Sequence, residues 1–266
     1  MGKVASRRDG IRRVLERDGY VSLSSLSEEF GVAPVTIHRD LDHLEEEGVL
    51  ERVRGGARRI RSTRPIATEF SGRQAQMREQ KERIARRAIE AIPDGATIFM
   101  DSSTTVLAMA PFLEQEPGRG LTIVTNSPML ATGLKAPLIH LIVLPGEVNQ
   151  SMRAVTGRWT VEFIEQLSFN VAFVSAAGVT ESGGLMTTQR ELAEVAKAAL
   201  PRSQQRIALL DSSKFGVSAL LTAAPMEQID LLITDSGLSN EEAAIYRAAG
   251  FELERVEMER IEESRE

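Results

Sequence analysis

The sequence predicts an α/β protein of two domains: a small N-terminal domain of three helices with a two-stranded wing, and a larger one built on a doubly wound parallel sheet. Three observations carry this. Three short helical patterns end in two strands around Gly55-Gly56, a polar stretch follows at 61–80, and short apolar runs then alternate with helical patterns to the end of the chain. The expected domains are 1–62 and 81–266, joined by a linker at 63–80.

Taken in order, Ile11, Val14 and Leu15 fall at i, i+3 and i+4 and mark a first helix over about 7–17, closed by Asp18-Gly19. Tyr20-Val21 is a short extended link. Ser22 is placed to cap a second helix carrying Leu23, Leu26 and Phe30 on one face, and Gly31 to close it. Pro34 suits the first turn of a third helix, where its missing N–H costs nothing, and Gly48 stops that helix after the stripe Ile37, Leu41, Leu44. Residues 49–53 alternate as a strand, Gly55-Gly56 turns, and 57–60 return; helices and wing together make a winged helix-turn-helix. Beyond the linker, strands are expected at 97–100, 121–125, 140–144, 171–177, 206–210, 231–234 and 251–256. Helical patterns at 105–113, 128–134, 160–167, 191–200 and 241–249 lie between them, which implies a mostly parallel sheet covered on both faces.

The 266 residues carry a net charge of -6, but the total hides its distribution: +1 over 1–62 and -7 over the remaining 204. Arg52, Arg54, Arg58, Arg59, Arg61 and Arg64 follow one another with no acidic residue between, a local footprint for phosphates. With no cysteine there is no disulfide framework, thiolate nucleophile or cysteine-based zinc site. No window approaches the roughly 18 apolar residues of a membrane span, and MGKVASRRDG lacks the apolar core of a signal peptide, so a cytoplasmic protein is expected.

The turn 30–34 is short enough for the third helix to enter a major groove while the second spans the backbone. Opposite the apolar stripe of that third helix lie Thr36, Arg39 and His43, with Val35 and His38 near its exposed start. Arg39 can pair with guanine O6 and N7, Thr36 can meet a phosphate or a thymine methyl, and His38 or His43 can donate to either. Arg54, Arg58 and Arg59 of the wing complete the expected interface with double-stranded operator DNA.

The stretch from Thr36-Ile37-His38-Arg39-Asp40-Leu41 through Leu44-Glu45 and Gly48 to Gly55-Gly56-Ala57 resembles the signature of the DeoR family of regulators. It departs at Ala33, His38 and Arg54, where the family has Ser, Arg and His.

In the second domain Asp101-Ser102-Ser103-Thr104-Thr105 follows a buried strand where a helix begins, and hydroxyls with free N–H groups at such a point form an anion site. Asn126, Gly146, Gly178, and Asp211 with Lys214 stand at comparable strand ends, so the set converges on one edge: Lys214 for a phosphate or carboxylate, Asp101 and Asp211 for hydroxyls. These segments also resemble the DeoR-type sensor domain, whose fold is similar to ribose phosphate isomerases. Asp101–Thr105 aside, the matching pieces are Thr125-Asn126-Ser127, Pro145-Gly146 and Asp211-Ser212-Ser213-Lys214-Phe215. Ser103, Pro145 and Ser175 replace family glycines, and Asn170 a family Asp. The resemblance implies a repressor of a carbohydrate uptake or catabolic operon, relieved by a phosphorylated sugar, working as a dimer or tetramer without cofactor, metal or membrane. The alternative is a sugar-phosphate isomerase with a DNA-binding appendage, in which Asp101, Asp211 or Glu191 would act with Lys214. A third possibility leaves the second domain as an oligomerisation platform. His38 and His43 lie in the reading helix and His140 opens a strand at the far end, and no nucleotide-binding or hydrolase motif is present, so no catalysis is expected.

Overall fold

The computed structural model describes residues 3–46, 50–59, 70–115 and 118–257. Its contacts divide the chain into two units, Met1–Thr63 with Leu238–Ile245 and Arg64–Gly237 with Tyr246–Glu266.

The first unit begins with α1 (Lys3–Asp18), β1 (Tyr20–Ser22), α2 (Leu23–Phe30), α3 (Pro34–Glu46), β2 (Leu50–Val53) and β3 (Gly56–Arg59). Ser22 caps α2 by accepting from the Ser25 N–H at 3.0 Å, and Gly31 ends it at φ 61°. Ile11, Leu15, Leu26, Ile37, Leu41, Leu44 and Leu50 form one buried core, so the periodicity of the three helices is the periodicity of burial. The Tyr20-Val21 link is a strand: β1 pairs with β3, making the wing three-stranded in the order β1-β3-β2. A three-residue strand carries no readable alternation of its own; only its partner makes it one. The expected stop at Gly48 and the end of the wing at Ile60 lie outside the described residues.

One buried charge ties α3 to α1. Asp40 is 2% exposed, and its two carboxylate oxygens accept separately from Arg7 Nε at 2.5 Å and Arg8 Nε at 3.0 Å. An unpaired carboxylate there would be costly, and the two arginines that pair with it fix α3 against α1.

The chain continues through α4 (Phe70–Ala75), α5 (Arg78–Ile89), β4 (Thr97–Met100), α6 (Thr104–Leu107), α7 (Ala110–Leu113), β5 (Thr122–Thr125), α8 (Pro128–Gly133), β6 (His140–Val143), β7 (Glu147–Asn149) and β8 (Ala154–Thr156). After these come α9 (Arg158–Ile164), β9 (Phe169–Val174), β10 (Gly178–Thr180), β11 (Gly184–Thr187), α10 (Arg190–Ala199), β12 (Ser203–Leu209), β13 (Leu221–Ala224), β14 (Leu231–Asp235), α11 (Asn240–Ala248) and β15 (Leu253–Val256). Seven strands form one parallel sheet in the order β15-β14-β12-β9-β4-β5-β6. From β4 the chain winds outward through β5 and β6, then returns to β9 on the other side of β4. The strand order therefore reverses between β4 and β9, where open parallel sheets leave a crevice at the strands' carboxyl ends. Ile98 and Met100 face one core with Ile84, Ala85 and Ala88 of α5, while Phe99 points the other way and meets Phe169 at 5.5 Å.

Several expectations shift in detail. The helix expected at 105–113 is two four-residue helices, α6 and α7, with Pro111 in the first turn of α7. The strand expected at 171–177 spans Phe169–Val174, and Ala177 already pairs with Met186. The hairpin β7–β8 and the antiparallel sheet β10-β11-β13 had no counterpart in the sequence reading, because strands of three or four residues show too little alternation. The stretch 63–80 contains α4, whose Phe70 is buried, and the start of α5; Met77, at φ 53°, separates the two helices.

Asp40→Ala should cost the winged helix about 2–4 kcal/mol, because it strands two half-buried guanidiniums. Urea denaturation checks this; a loss below about 0.5 kcal/mol would mean that the pair does not hold α3 in place.

Candidate functional site

On α3, burial and exposure follow the helical period: Ile37, Leu41 and Leu44 are inside, His38 and Arg39 outside, Thr36 and His43 between. The expected reading residues thus share the face turned from the core. The wing arginines differ from one another. Arg58 spans the β2–β3 ladder to Glu51 at 2.9 Å, as their register as direct cross-strand partners dictates. Arg52 bonds the His38 ring at 2.8 Å and lies 3.5 Å from Asp42. His38, where the family has Arg, is thus held by a wing arginine. Arg54 remains exposed in the turn before Gly56, and the Arg59 side chain lies outside the described residues.

In the second unit one cavity opens at the carboxyl ends of β4 and β9. Asp101, Ser102, Ser103, Thr104, Thr105, Asn126 and Lys214 all line it. Asp101 spans the point where strand order reverses: Oδ1 accepts from the Ser103 N–H and Oδ2 from the Ser175 N–H, each at 2.8 Å. Burial pushes this carboxyl up to about 6, against the pull of those bonds and of Arg73. Its first task is thus to brace the two strand ends. Asn126 is 1% exposed; Nδ2 donates to the Val155 carbonyl at 3.1 Å, while Oδ1 is buried with no partner.

Gly146, Gly178 and Asp211 are not brought to this lining. A Cβ on Gly146 would sit 2.1 Å from Thr160 Oγ1, and one on Gly178 2.1 Å from the Val217 carbonyl. Both glycines admit neighbouring protein backbone or side chain at close range. Asp211 is buried, accepting through Oδ1 from the Ser213 N–H and hydroxyl, with Oδ2 buried and unpartnered. Asn170 sits at the other end of β9, where it accepts from the Thr97 N–H at 2.9 Å.

The lining also includes residues that the sequence reading missed: Arg73 of α4, Lys81 of α5, and Thr187, Thr188 and Gln189 leading into α10. Lys81 is 4% exposed, and its Nζ donates to the main-chain oxygens of Arg73 and of Gln76, the latter at 2.7 Å. Burial lowers its pKa to about 8, Asp211 opposes that shift, and Lys214 and Arg73 reinforce it. Burial also lowers Arg73, with Asp101 opposing. Three basic side chains and one acidic one therefore face a common space, which suits a doubly charged anion. Because α6 is a single turn, its dipole adds little, and the attraction rests on the three cations with the N–H and hydroxyl groups of 102–105. Among the described residues no His, Asp and Glu cluster could hold a metal, and no helix is long and apolar enough to cross a membrane.

Residues 7–63 match the family model described as the DeoR-like helix-turn-helix domain, and residues 76–236 that of the DeoR C terminal sensor domain. The class is thereby defined as a DNA-binding transcriptional regulator with a separate sensor domain. The chain is 33% identical over 235 residues to the glycerol-3-phosphate regulon repressor of Escherichia coli (strain K12), covering 88% of this chain and 92% of that protein. It is 32% identical over 224 residues to the HTH-type transcriptional regulator IolR of Bacillus subtilis (strain 168), covering 84% and 88%. Over 233 residues it is 32% identical to the lactose phosphotransferase system repressor of Staphylococcus epidermidis (strain ATCC 12228 / FDA PCI 1200), covering 86% and 91%. Among solved structures, ribose 5 phosphate isomerase A from Neisseria gonorrhoeae is similar at 18% identity and TM-score 0.37 over 53% of this chain and 54% of that one, too loosely to bear on function. The protein belongs to the DeoR family.

The depressed pKa of Lys81 has a direct consequence for stability. Keeping its ammonium desolvated costs most below about pH 8; between there and 10.5, its value when exposed, the unfolded chain binds more protons, so this contribution to stability rises with pH. The stability of wild type relative to Lys81→Met should therefore improve between pH 7.5 and about 10, measured by paired urea titrations; a difference independent of pH would contradict the shift.

Proposed function

We propose that the protein represses an operon for carbohydrate uptake or catabolism and is relieved when a phosphorylated sugar or polyol enters the cavity at the β4–β9 switch. The observation that carries this reading is the charge of the cavity. Arg73, Lys81 and Lys214 face it with Asp101 as the one carboxylate, a surplus of two positive charges that matches a phosphate monoester dianion. Asn126 Oδ1, buried without a donor, is suited to a ligand hydroxyl beside that phosphate. The names of the relatives, repressors of glycerol-3-phosphate and lactose phosphotransferase genes, support the same class of effector.

In this reading Arg39, Thr36, His38 and His43 contact base edges and phosphates from α3, Arg54 meets the backbone from the wing, and the regulator works in the cytoplasm as a homo-oligomer on paired half-sites. An isomerase finds less support. Both oxygens of Asp101 are taken by backbone N–H groups, and His140 stands at the start of β6, the end of its strand away from the cavity.

Binding and thermal-shift measurements with phosphorylated and dephosphorylated sugars test the effector. Lys214→Ala should weaken phosphorylated ligands at least tenfold and leave neutral ones little changed; a neutral sugar bound as tightly as its phosphate would overturn the proposal. On the DNA side, Arg39→Ala should cost about 1–3 kcal/mol on operator and relax one base position, whereas Arg54→Ala should weaken all sequences alike and lower the salt slope by about one. Equal losses on operator and random DNA for Arg39→Ala would remove its reading role.

A further inference from the structure

One wing residue fixes the chemistry of a ring on the exposed side of α3. Arg52 of β2 reaches back over that helix: Nη2 lies 2.8 Å from His38 Nδ1, and Nη1 lies 3.5 Å from both the His38 carbonyl oxygen and Asp42 Oδ1. His38 and Asp42 stand at i and i+4, one helical turn apart, so a single guanidinium spans them. The main-chain N–H of Arg52 donates to Glu45 Oε1 at 2.9 Å, which ties its backbone to the same helix. The Arg52 side chain is only 19% exposed, engaged on α3 and not extended into solvent as the other charges of a wing can be. A guanidinium has donors and no acceptor. His38 Nδ1 must therefore accept, so the ring is neutral and its one hydrogen sits on Nε2. His38 is exposed, and among the described residues no other protein group bonds its ring.

We propose that His38 reads one base as a single hydrogen-bond donor, Nε2–H to O6 or N7 of a guanine, and that Arg52 is the positioning residue that sets this tautomer and makes no phosphate contact of its own. The inference rests on α3 being the helix that enters the major groove, and adds to that reading the direction of one hydrogen bond and the residue that imposes it. Direction decides the base. A donor at Nε2 suits the acceptors of guanine and meets another donor at the amino group of cytosine, whereas the opposite tautomer would reverse the preference. The pairing also belongs to this chain's departure at position 38. An arginine there, the family residue, could not accept from Arg52, and two guanidiniums would face each other without an acceptor between them.

The test uses the full chain and the duplex it selects from a pool of randomised sequences, each base pair of which is then substituted in turn. His38→Ala should lose about fivefold in discrimination at one position, where wild type prefers guanine. Arg52→Met should lose most of that discrimination at the same position with the salt slope of wild type, and should cause no further loss there when His38 is already Ala. Nitrogen magnetic resonance of the chain carrying ring-labelled histidine, at about pH 8, reads the tautomer directly. Only three histidines are present, so the signals missing from His38→Ala identify the ring. Wild type should show Nε2 protonated and Nδ1 as a hydrogen-bonded acceptor; Arg52→Met should lose the bonded Nδ1 signal. Hydrogen found on Nδ1 in wild type, or a His38→Ala loss at no position or at a base other than guanine, would overturn the inference. So would an Arg52→Met loss equal on all sequences with a salt slope lowered by about one, the mark of a phosphate contact. Each of these leaves base reading by Arg39 standing, whereas a wild-type chain that selects no sequence would remove reading by α3 itself. Should Arg52→Met fail to fold, His38→Ala and the wild-type tautomer still decide, and Arg52→Lys, which keeps a donor, should retain the guanine preference.

Discussion

The sensor domain is organised around unbalanced positive charge at the carboxyl ends of its central strands. A parallel sheet that winds outward from β4 and returns on the other side must leave a crevice between β4 and β9, and the main-chain groups there lack the partners they would have inside the ladder. Asp101 supplies some of them, holding Ser103 and Ser175 with its two oxygens. That bracing consumes the acidic capacity of the site. Arg73, Lys81 and Lys214 then share a cavity whose lining holds Asp101 as its one carboxylate, and burial depresses both Arg73 and Lys81. The domain therefore carries a surplus of positive charge that suits an anionic ligand.

The winged helix handles charge in the opposite way. Asp40 is wholly committed to Arg7 and Arg8, Glu51 to Arg58, and Arg52 to His38 and Asp42. These pairs fix α3 against α1 and the wing against α3. Arg39 on the helix and Arg54 in the turn are exposed, where a DNA duplex could engage them.

Much of this was legible in the sequence. The stripe Ile37, Leu41, Leu44, the cap at Ser22 and the left-handed Gly31 are local signals with local causes, and each appears where its residues dictate. Asp101–Thr105, Asn126 and Lys214 were legible as polar residues following apolar runs, because in a parallel sheet every such position lies at the same edge. Lys81 was not. Within Arg78-Glu79-Gln80-Lys81-Glu82-Arg83 it reads as one more charge on a solvated helix, and only the return of α4 over the start of α5 buries it. Gly146 and Gly178 misled for the converse reason: a glycine after a strand signals close approach, and here the approaching atoms belong to Thr160 and Val217. The linker reading likewise failed to mark α4, whose six residues offer Phe70 as their one buried anchor.

The central claim is that occupancy of the cavity and occupancy of the operator are coupled. Thermodynamic linkage makes the coupling reciprocal. The most direct measurement is the affinity of the active phosphorylated ligand for the full chain, with and without saturating duplex from the region upstream of its own gene, set beside the affinity for that duplex with and without ligand. The account predicts that each partner weakens the other by the same factor. Ligand affinity unchanged by saturating operator would contradict it.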